Sequence, residues 1–405
     1  MYDVIVVGGR CAGSPLSMLL ARRGYRVLLV DRASFPSDTI STHFIWLSGA
    51  ACLNRWGLLD RLRATGCPPV REIGLDFGAF TLKGTAPPLD GVADMFGPRR
   101  TVLDKLLIDA AAEAGADVEQ GFTVTGITSS NGRVTGIRGH GRNGAEIEEG
   151  ARIVVGADGR HSVVASAVKA EAYNARPVMT CCYYSYWRDV PPHFLALRSR
   201  PNRLMGTTPT NHGLVLGLVF FPIAEFDRVR SDIDAHFMAS IDTVPDLSEA
   251  LRSGKRVERY YGTGDMENFF RKPYGDGWAL AGDAGYHKDA CTAQGISDSF
   301  RSAEWLAEAI HEGFSGARPL NDALAEYHRK RDEHFGPIYE FTSGIAALAP
   351  PPPEVQALYA ALVHNPAESD RLLGTLAGTV PIPEFYSPEN VARIMSHAAA
   401  SVASA

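Results

Sequence analysis

A glycine turn set between two short apolar runs constrains this chain more than any other feature. Residues 3–7 form a β-branched run, and Gly8-Gly9-Arg10-Cys11-Ala12-Gly13 follows at once. After Gly13 the apolar positions Leu16, Leu19 and Leu20 recur at helical spacing. Pro15 falls in the first turn, where its missing N–H is harmless, and Gly24 supplies a stop. A second apolar run, residues 25–30, ends at Asp31 and Arg32. This pattern predicts a β-α-β unit whose turn presents the N–H groups of Cys11, Ala12 and Gly13, at a helix start, to an anion such as a pyrophosphate. Asp31, roughly 20 residues beyond the last glycine, is placed to accept ribose hydroxyls. The usual turn reads G-x-G-x-x-G, and Arg10 stands at its middle glycine. Its side chain is expected either alongside the phosphates or towards the substrate side.

Composition narrows the class. The 405 residues are 45% hydrophobic and 21% charged, enough for two or three packed units. A net charge of −6 with a pI near 6.1 gives no reason to expect a nucleic-acid partner or an anionic membrane surface. Six cysteines without C-x-x-C spacing argue against a structural metal and against a disulfide framework, so a reducing, cytoplasmic setting is expected. No run approaches the roughly 20 apolar residues of a spanning helix. The opening residues MYDVIVV lead straight into the first predicted strand, with no basic flank or cleavage signal.

Further along, residues 102–114 read as a helix and residues 151–155 as a strand leading into Gly156-Ala157-Asp158-Gly159. Between about residues 174 and 264 the runs CCYYSYW, LVLGLVFFPI and VERYYG predict the strands of a separate sheet. Residues 278–281 form a strand ending in Gly282-Asp283, and a long amphipathic helix follows with Ile296, Phe300, Ala303, Ala307 and Ile310 on one side. Pro350 to Pro353 act as a stiff spacer. Asn365-Pro366 and Ser387-Pro388 look like helix starts, and the tail SHAAASVASA is expected to fray.

The glycine turn, VVGADGRHSVV (residues 154–164) and WALAGDAGYHKDACTAQGISDSFRSAEWLA (residues 278–307) occur in one order. Together they resemble the group A flavoprotein monooxygenases, relatives of p-hydroxybenzoate hydroxylase, over residues 1 to about 345. The resemblance implies an α/β fold in which a Rossmann-like domain (1–76, 100–173 and 265–345) holds FAD. A mostly antiparallel β-sheet domain (77–99 and 174–264) is inserted for the substrate, and a helical C-terminal segment (346–405) follows. Gly8 and Gly13 match the turn, Asp31 with Arg32 the ribose end, Arg100 the pyrophosphate arginine, and Asp158 the aspartate that serves FAD and nicotinamide. Asp283 matches the acid on the ribityl or pyrophosphate part, Gly295 and Ile296 the helix start beneath the flavin ring, and Val124 a backbone contact to adenine. The implied activity is a monooxygenase: NADH or NADPH reduces the flavin, O₂ adds, and a C4a-hydroperoxide passes oxygen to an aromatic or other electron-rich substrate. Alternatives are a geranylgeranyl-reductase type enzyme, a flavin-dependent halogenase and a flavoprotein without turnover.

Several departures stand beside these matches. Ala165 and Ala290 replace the usual arginine and proline of the second and third motifs, and the Y-x-W-x-F-P and W-x-W-x-I-P patterns of the reductases and halogenases are absent. His43 and His287 are candidate acids, bases or hydrogen-bond donors on the substrate side. In CCYYSYW the side chains alternate, so Tyr183, Ser185 and Trp187 share a face that is expected to line an aromatic pocket. Lys83, which a halogenase would need, reads as a surface lysine.

Overall fold

The computed structural model describes residues 1–142, 144–191 and 195–403. The predicted β-α-β unit is the strand Tyr2–Val7, the helix Gly13–Ala21 and the strand Val27–Asp31. These strands pair in parallel, with Val6 opposite Leu29 on one side and opposite Val155 of Glu146–Gly156 on the other. Asp117–Gln120 extends the sheet beyond Val27–Asp31, and Trp278–Leu280 extends it beyond Glu146–Gly156. Tyr2–Val7 is apolar at both alternating positions because both faces are covered. Val4 and Val6 pack with the helices Gly13–Ala21, Arg100–Glu113 and Gly295–Ser315, while Ile5 and Val7 pack under the antiparallel strands Thr123–Ser130 and Arg133–His140. Each such fully buried side chain contributes about 1.5–3 kcal/mol relative to exposure.

The second sheet runs in the order Lys255–Arg256, Thr180–Arg188, Leu214–Pro222, Arg203–Thr210, Leu195–Arg200, Glu72–Asp76 and Thr81–Thr85, with Tyr261–Thr263 also on Thr180–Arg188. Its pairs are antiparallel except that between Leu195–Arg200 and Glu72–Asp76. Glu72–Asp76 was expected with the first unit. Its Ile73 and Leu75 alternate inward, and the strand pairs with the second sheet instead. Sequence reading also missed three helices, Phe226–Ser231, Ile233–Ile241 and Pro245–Ser253. Their Val229, Phe237, Ile241, Leu247 and Leu251 form an apolar stripe that covers one face of this sheet.

The helix Leu320–Ala346 stops short of the proline run, and Pro353 then opens the helix Pro353–Leu362 at a position that needs no N–H. Asn365 caps Pro366–Ala377, accepting from the Glu368 N–H at 3.4 Å. Pro388–Ala403 is helical through most of the tail that was expected to fray, while Ser404 and Ala405 lie outside the described residues. Two hydrogen bonds tie Pro366–Ala377 across the molecule. The Thr85 N–H donates to Asp370 Oδ1 at 2.8 Å, and Gln294 Nε2 donates to the Leu376 carbonyl at 2.9 Å.

Candidate functional site

A cavity of about 670 Å³ opens at the carboxyl ends of four parallel strands, where Val7, Asp31, Asp158 and Gly282 line it. Crevices of this size at this position are where open α/β sheets take their ligands. The glycine turn forms one wall. Gly8 has φ +105°, and a Cβ there would stand 2.4 Å from the Ala157 carbonyl oxygen; on Gly13 it would stand 1.8 Å from the Gly8 carbonyl oxygen. Only glycine fits either position. The Gly9 N–H donates to Asp31 Oδ2 at 2.6 Å and the Ala33 N–H to Asp31 Oδ1 at 2.7 Å, so the strand's last acid shapes the turn as well as facing the cavity. Each carboxylate oxygen retains a lone pair that a ribose hydroxyl could use.

Arg10 reaches the cavity wall beside Cys11 and Ala12, where protein partners anchor it. Its guanidinium pairs with Asp104, donates to Ser37 Oγ at 2.9 Å and lies over the Phe35 ring at 5.2 Å. Asp104 is fully buried and also accepts from Arg100 Nε and Nη2, both at 3.0 Å. Burial by itself would lower the Arg100 pKa, but the Asp104 carboxylate outweighs it and holds that guanidinium above its ordinary range. Two arginines sharing one carboxylate leave a net positive charge at the cavity wall beside Cys11 and Ala12, suited to a pyrophosphate. Burial pushes the Cys11 thiol up to about 12, so it stays protonated.

Asp158 accepts from the Val163 N–H through Oδ2 at 2.7 Å, while its Oδ1 is buried with no partner among the described residues. Burial raises its pKa, partly offset by hydrogen bonds from Ser162 and the Val163 N–H. An orphaned acceptor of this kind in a cavity wall calls for a donor from a ligand. Arg32, Val124 and Asp283 line the same cavity. So do Gly295 and Ile296, where the helix Gly295–Ser315 begins and its first-turn N–H groups lack intrahelical acceptors. A Cβ on Gly295 would meet nothing within 4 Å. Unpartnered acceptor, glycine cradle and open helix end together fit a long dinucleotide with a planar ring.

The substrate-side expectations fare differently. Tyr183 and Trp187 face the missed helices, with Trp187 stacked on Phe237 at 5.6 Å, and Ser185 donates to the Glu258 carbonyl at 2.8 Å. The opposite face of the same strand meets the cavity through Cys182 and Tyr184, joined by Leu218 and Met266. Alternation was read correctly. What decides between the faces is the helical layer over the odd positions. His43 is fully buried behind this wall, sharing a hydrogen bond of 2.5 Å with the Tyr186 hydroxyl. Burial, then the cations of Arg100 and Arg99, hold its pKa well below 6.5, so it is neutral. His287 does line the cavity, its Nδ1 bonded to the Glu267 carbonyl and its ring stacked on Phe269. Beside it, Lys288 forms a buried ion pair with Asp298 of the helix start, a pair that sequence reading passed over. Lys83 is exposed on the edge strand Thr81–Thr85, outside the cavity lining.

A family model described as FAD binding domain matches residues 1–342. The chain belongs to that family. It is a FAD-dependent oxidoreductase. Among curated relatives, digeranylgeranylglycerophospholipid reductase 2 of Methanopyrus kandleri is 27% identical over 357 residues, covering 84% of each chain. The 6-methylpretetramide 4-monooxygenase of Streptomyces rimosus is also 27% identical, covering 82% of this chain and 81% of that protein. Among solved structures, the flavin-dependent brominase Bmp2 superposes with a TM-score of 0.82 at 18% identity, covering 100% of both chains, which shows a common fold. Among the described residues no helix is long and apolar enough to cross a membrane, and no cluster of metal-ligating side chains occurs.

Proposed function

We propose that the protein is a monooxygenase that consumes NADH or NADPH and O₂ and oxidises an aromatic or other electron-rich small molecule. The observation that carries this reading is the continuity of one cavity, which joins the dinucleotide cradle at the strand ends to the sheet face of Cys182, Tyr184, Leu218 and Met266. When bound and reduced, the flavin supplies the electrons and the oxygen activation. Gly8, Gly13, Arg100 and Asp158 hold the nucleotide part, with Asp31 and Arg32 at the ribose and Val124 at the adenine. The N–H groups of Gly295 and Ile296 favour negative charge on the ring edge they face, by about 0.3–1 kcal/mol where exposed and more where buried. Cys182, Leu218 and Met266 exclude water, which strengthens every polar contact inside. Tyr184 orients the substrate, its phenol kept protonated chiefly by burial. His287 and Lys288 are among the polar groups at the cavity wall that can hydrogen-bond a substrate.

The exposed position of Lys83 and the missing tryptophan motif favour oxygen transfer over halogenation. Reduction of an isoprenoid double bond is the rival reading, and oxygen separates the two. The purified protein should be yellow and should oxidise NADH or NADPH faster with a hit from a panel of phenols, indoles and polyketides. Under ¹⁸O₂ the product should carry one labelled oxygen atom. Turnover that continues without O₂, or that requires halide, would overturn the assignment.

A further inference from the structure

A second cavity, of about 490 Å³, lies along the same face of the second sheet, and none of the roles above uses it. The sheet side supplies Leu75, Phe77 and Leu204, the helix Leu320–Ala346 supplies Ile345, and the C-terminal helices supply Tyr359 and Leu376. Phe77 and Tyr359 face one another with ring centroids 5.2 Å apart. Two carboxylates reach the lining and both are neutralised, Asp76 by Arg200 at 2.8 Å and Glu340 by Arg176 at 2.5 Å. Such a site favours a neutral ligand: a charged group buried there would lose its hydration without gaining a free counter-ion. The volume suits a ligand of drug size.

Its position relates it to the cofactor. Cys291 and Thr292 line this cavity while Ala290 and Ala293 line the first, so the turn Ala290–Thr292 is the partition. Trp46 Nε1 donates to the Thr292 carbonyl at 3.0 Å, and the Thr292 and Thr342 hydroxyls are 2.9 Å apart, which fixes that turn from both sides. The bond from Gln294 to the Leu376 carbonyl ties the C-terminal wall to the residue preceding the flavin-facing helix. Gly344, Ala349 and Pro350 are exposed at its mouth.

We propose that this second cavity binds an uncharged aromatic ring system, and that the C-terminal helices serve to wall it. Calling that ring system part of the oxidised substrate rests on the function proposed above; the binding itself does not. The probe is 1-aminoanthracene, titrated by fluorescence into the FAD-loaded protein. Gly344 offers the decisive substitution, because a Cβ there meets nothing within 4 Å. Gly344→Trp should weaken probe binding at least tenfold, Gly344→Ala should leave it nearly unchanged, and both should keep full flavin absorbance. Gly344→Phe replaces the larger variant should the latter lose its FAD. Anthracene-9-carboxylate should bind at least tenfold more weakly than the amine. No saturable binding, or equal affinity in the filled variant, overturns the site. Saturable binding that Gly344→Trp abolishes, in a protein that never oxidises NADH or NADPH, would leave the site standing and remove the monooxygenase.

Discussion

Replacing Asp104 by asparagine tests how the cofactor wall is held together. Asp104 is fully buried and serves two arginines at once, Arg100 through two bonds of 3.0 Å and Arg10 through a third. Asparagine keeps the shape but removes the charge and sets an N–H₂ against a guanidinium. Arg10 retains Ser37 and is a quarter exposed (25%), so solvent softens its loss; Arg100, at 9%, has no such relief. Breaking a buried pair by neutralising one partner costs about 3–5 kcal/mol, and the partial exposure of Arg10 puts this case near ~3 kcal/mol. FAD should shrink the loss, because a bound pyrophosphate supplies the missing anion to the folded state alone. The assay is urea unfolding followed by tryptophan fluorescence, on apoprotein and FAD-loaded protein. Apo Asp104→Asn should lose about 3 kcal/mol and the loaded form about 1–2. A loss below about 1 kcal/mol in the apoprotein, or an equal loss in both forms, refutes the argument.

Three further outcomes follow from the same wall. Gly13→Ala places a methyl 1.8 Å from the Gly8 carbonyl oxygen, and the purified variant should carry under about a tenth of the wild-type flavin by absorbance at equal protein. Asp158→Asn removes the charge from the orphaned acceptor and should raise the FAD dissociation constant by about ten- to a hundredfold in a fluorescence-quenching titration, the worth of one charge-assisted hydrogen bond. His43 is held neutral by burial and by the cations of Arg100 and Arg99, so the unfolded chain binds a proton that the folded chain does not. Its contribution to stability is therefore complete above about pH 6.5 and is lost as pH falls below that value. Urea midpoints measured across that range should flatten in His43→Gln, and an unchanged slope would remove His43 as its source.

Much of the cradle could be read because its residues act through local backbone. Gly8, Gly13, Asp31, Asp158 and Asp283 sit at turns where a strand ends, and chain order alone puts them at one edge of a parallel sheet. Asp104 escaped because its meaning depends on Arg10, 94 residues away; in the helix Arg100–Glu113 it reads as one more solvated acid. The substrate face escaped for a different reason. Period-two alternation sorts Cys182 and Tyr184 from Tyr183 and Trp187, but both sets are apolar enough to face a core, and the helices that settle the matter lie some 40–65 residues downstream. Lys288 was overlooked beside His287 because a lysine without its burial shown reads as exposed, and only the fold reveals Asp298 as its partner.

Arg10 is less a defect in the motif than a change in what the turn does. The middle glycine ordinarily gives a phosphate close access to bare backbone. Here the backbone keeps an ordinary negative φ at Arg10, the steric demands fall on Gly8 and Gly13, and the arginine side chain departs towards Asp104 and Ser37. That route couples the glycine turn to the helix Arg100–Glu113 through the buried Asp104 carboxylate, and to the loop after Asp31 through the Arg10 guanidinium on Ser37. Arg10→Gly would restore the familiar motif yet cut this link: it should cost about 1 kcal/mol in the apoprotein, where Arg10 is partly exposed, and leave Arg100 still paired. If the same substitution instead stabilised the apoprotein, the coupling through Asp104 would be a liability that FAD alone offsets, and the loop of Ser37 would owe its position to the cofactor rather than to the chain.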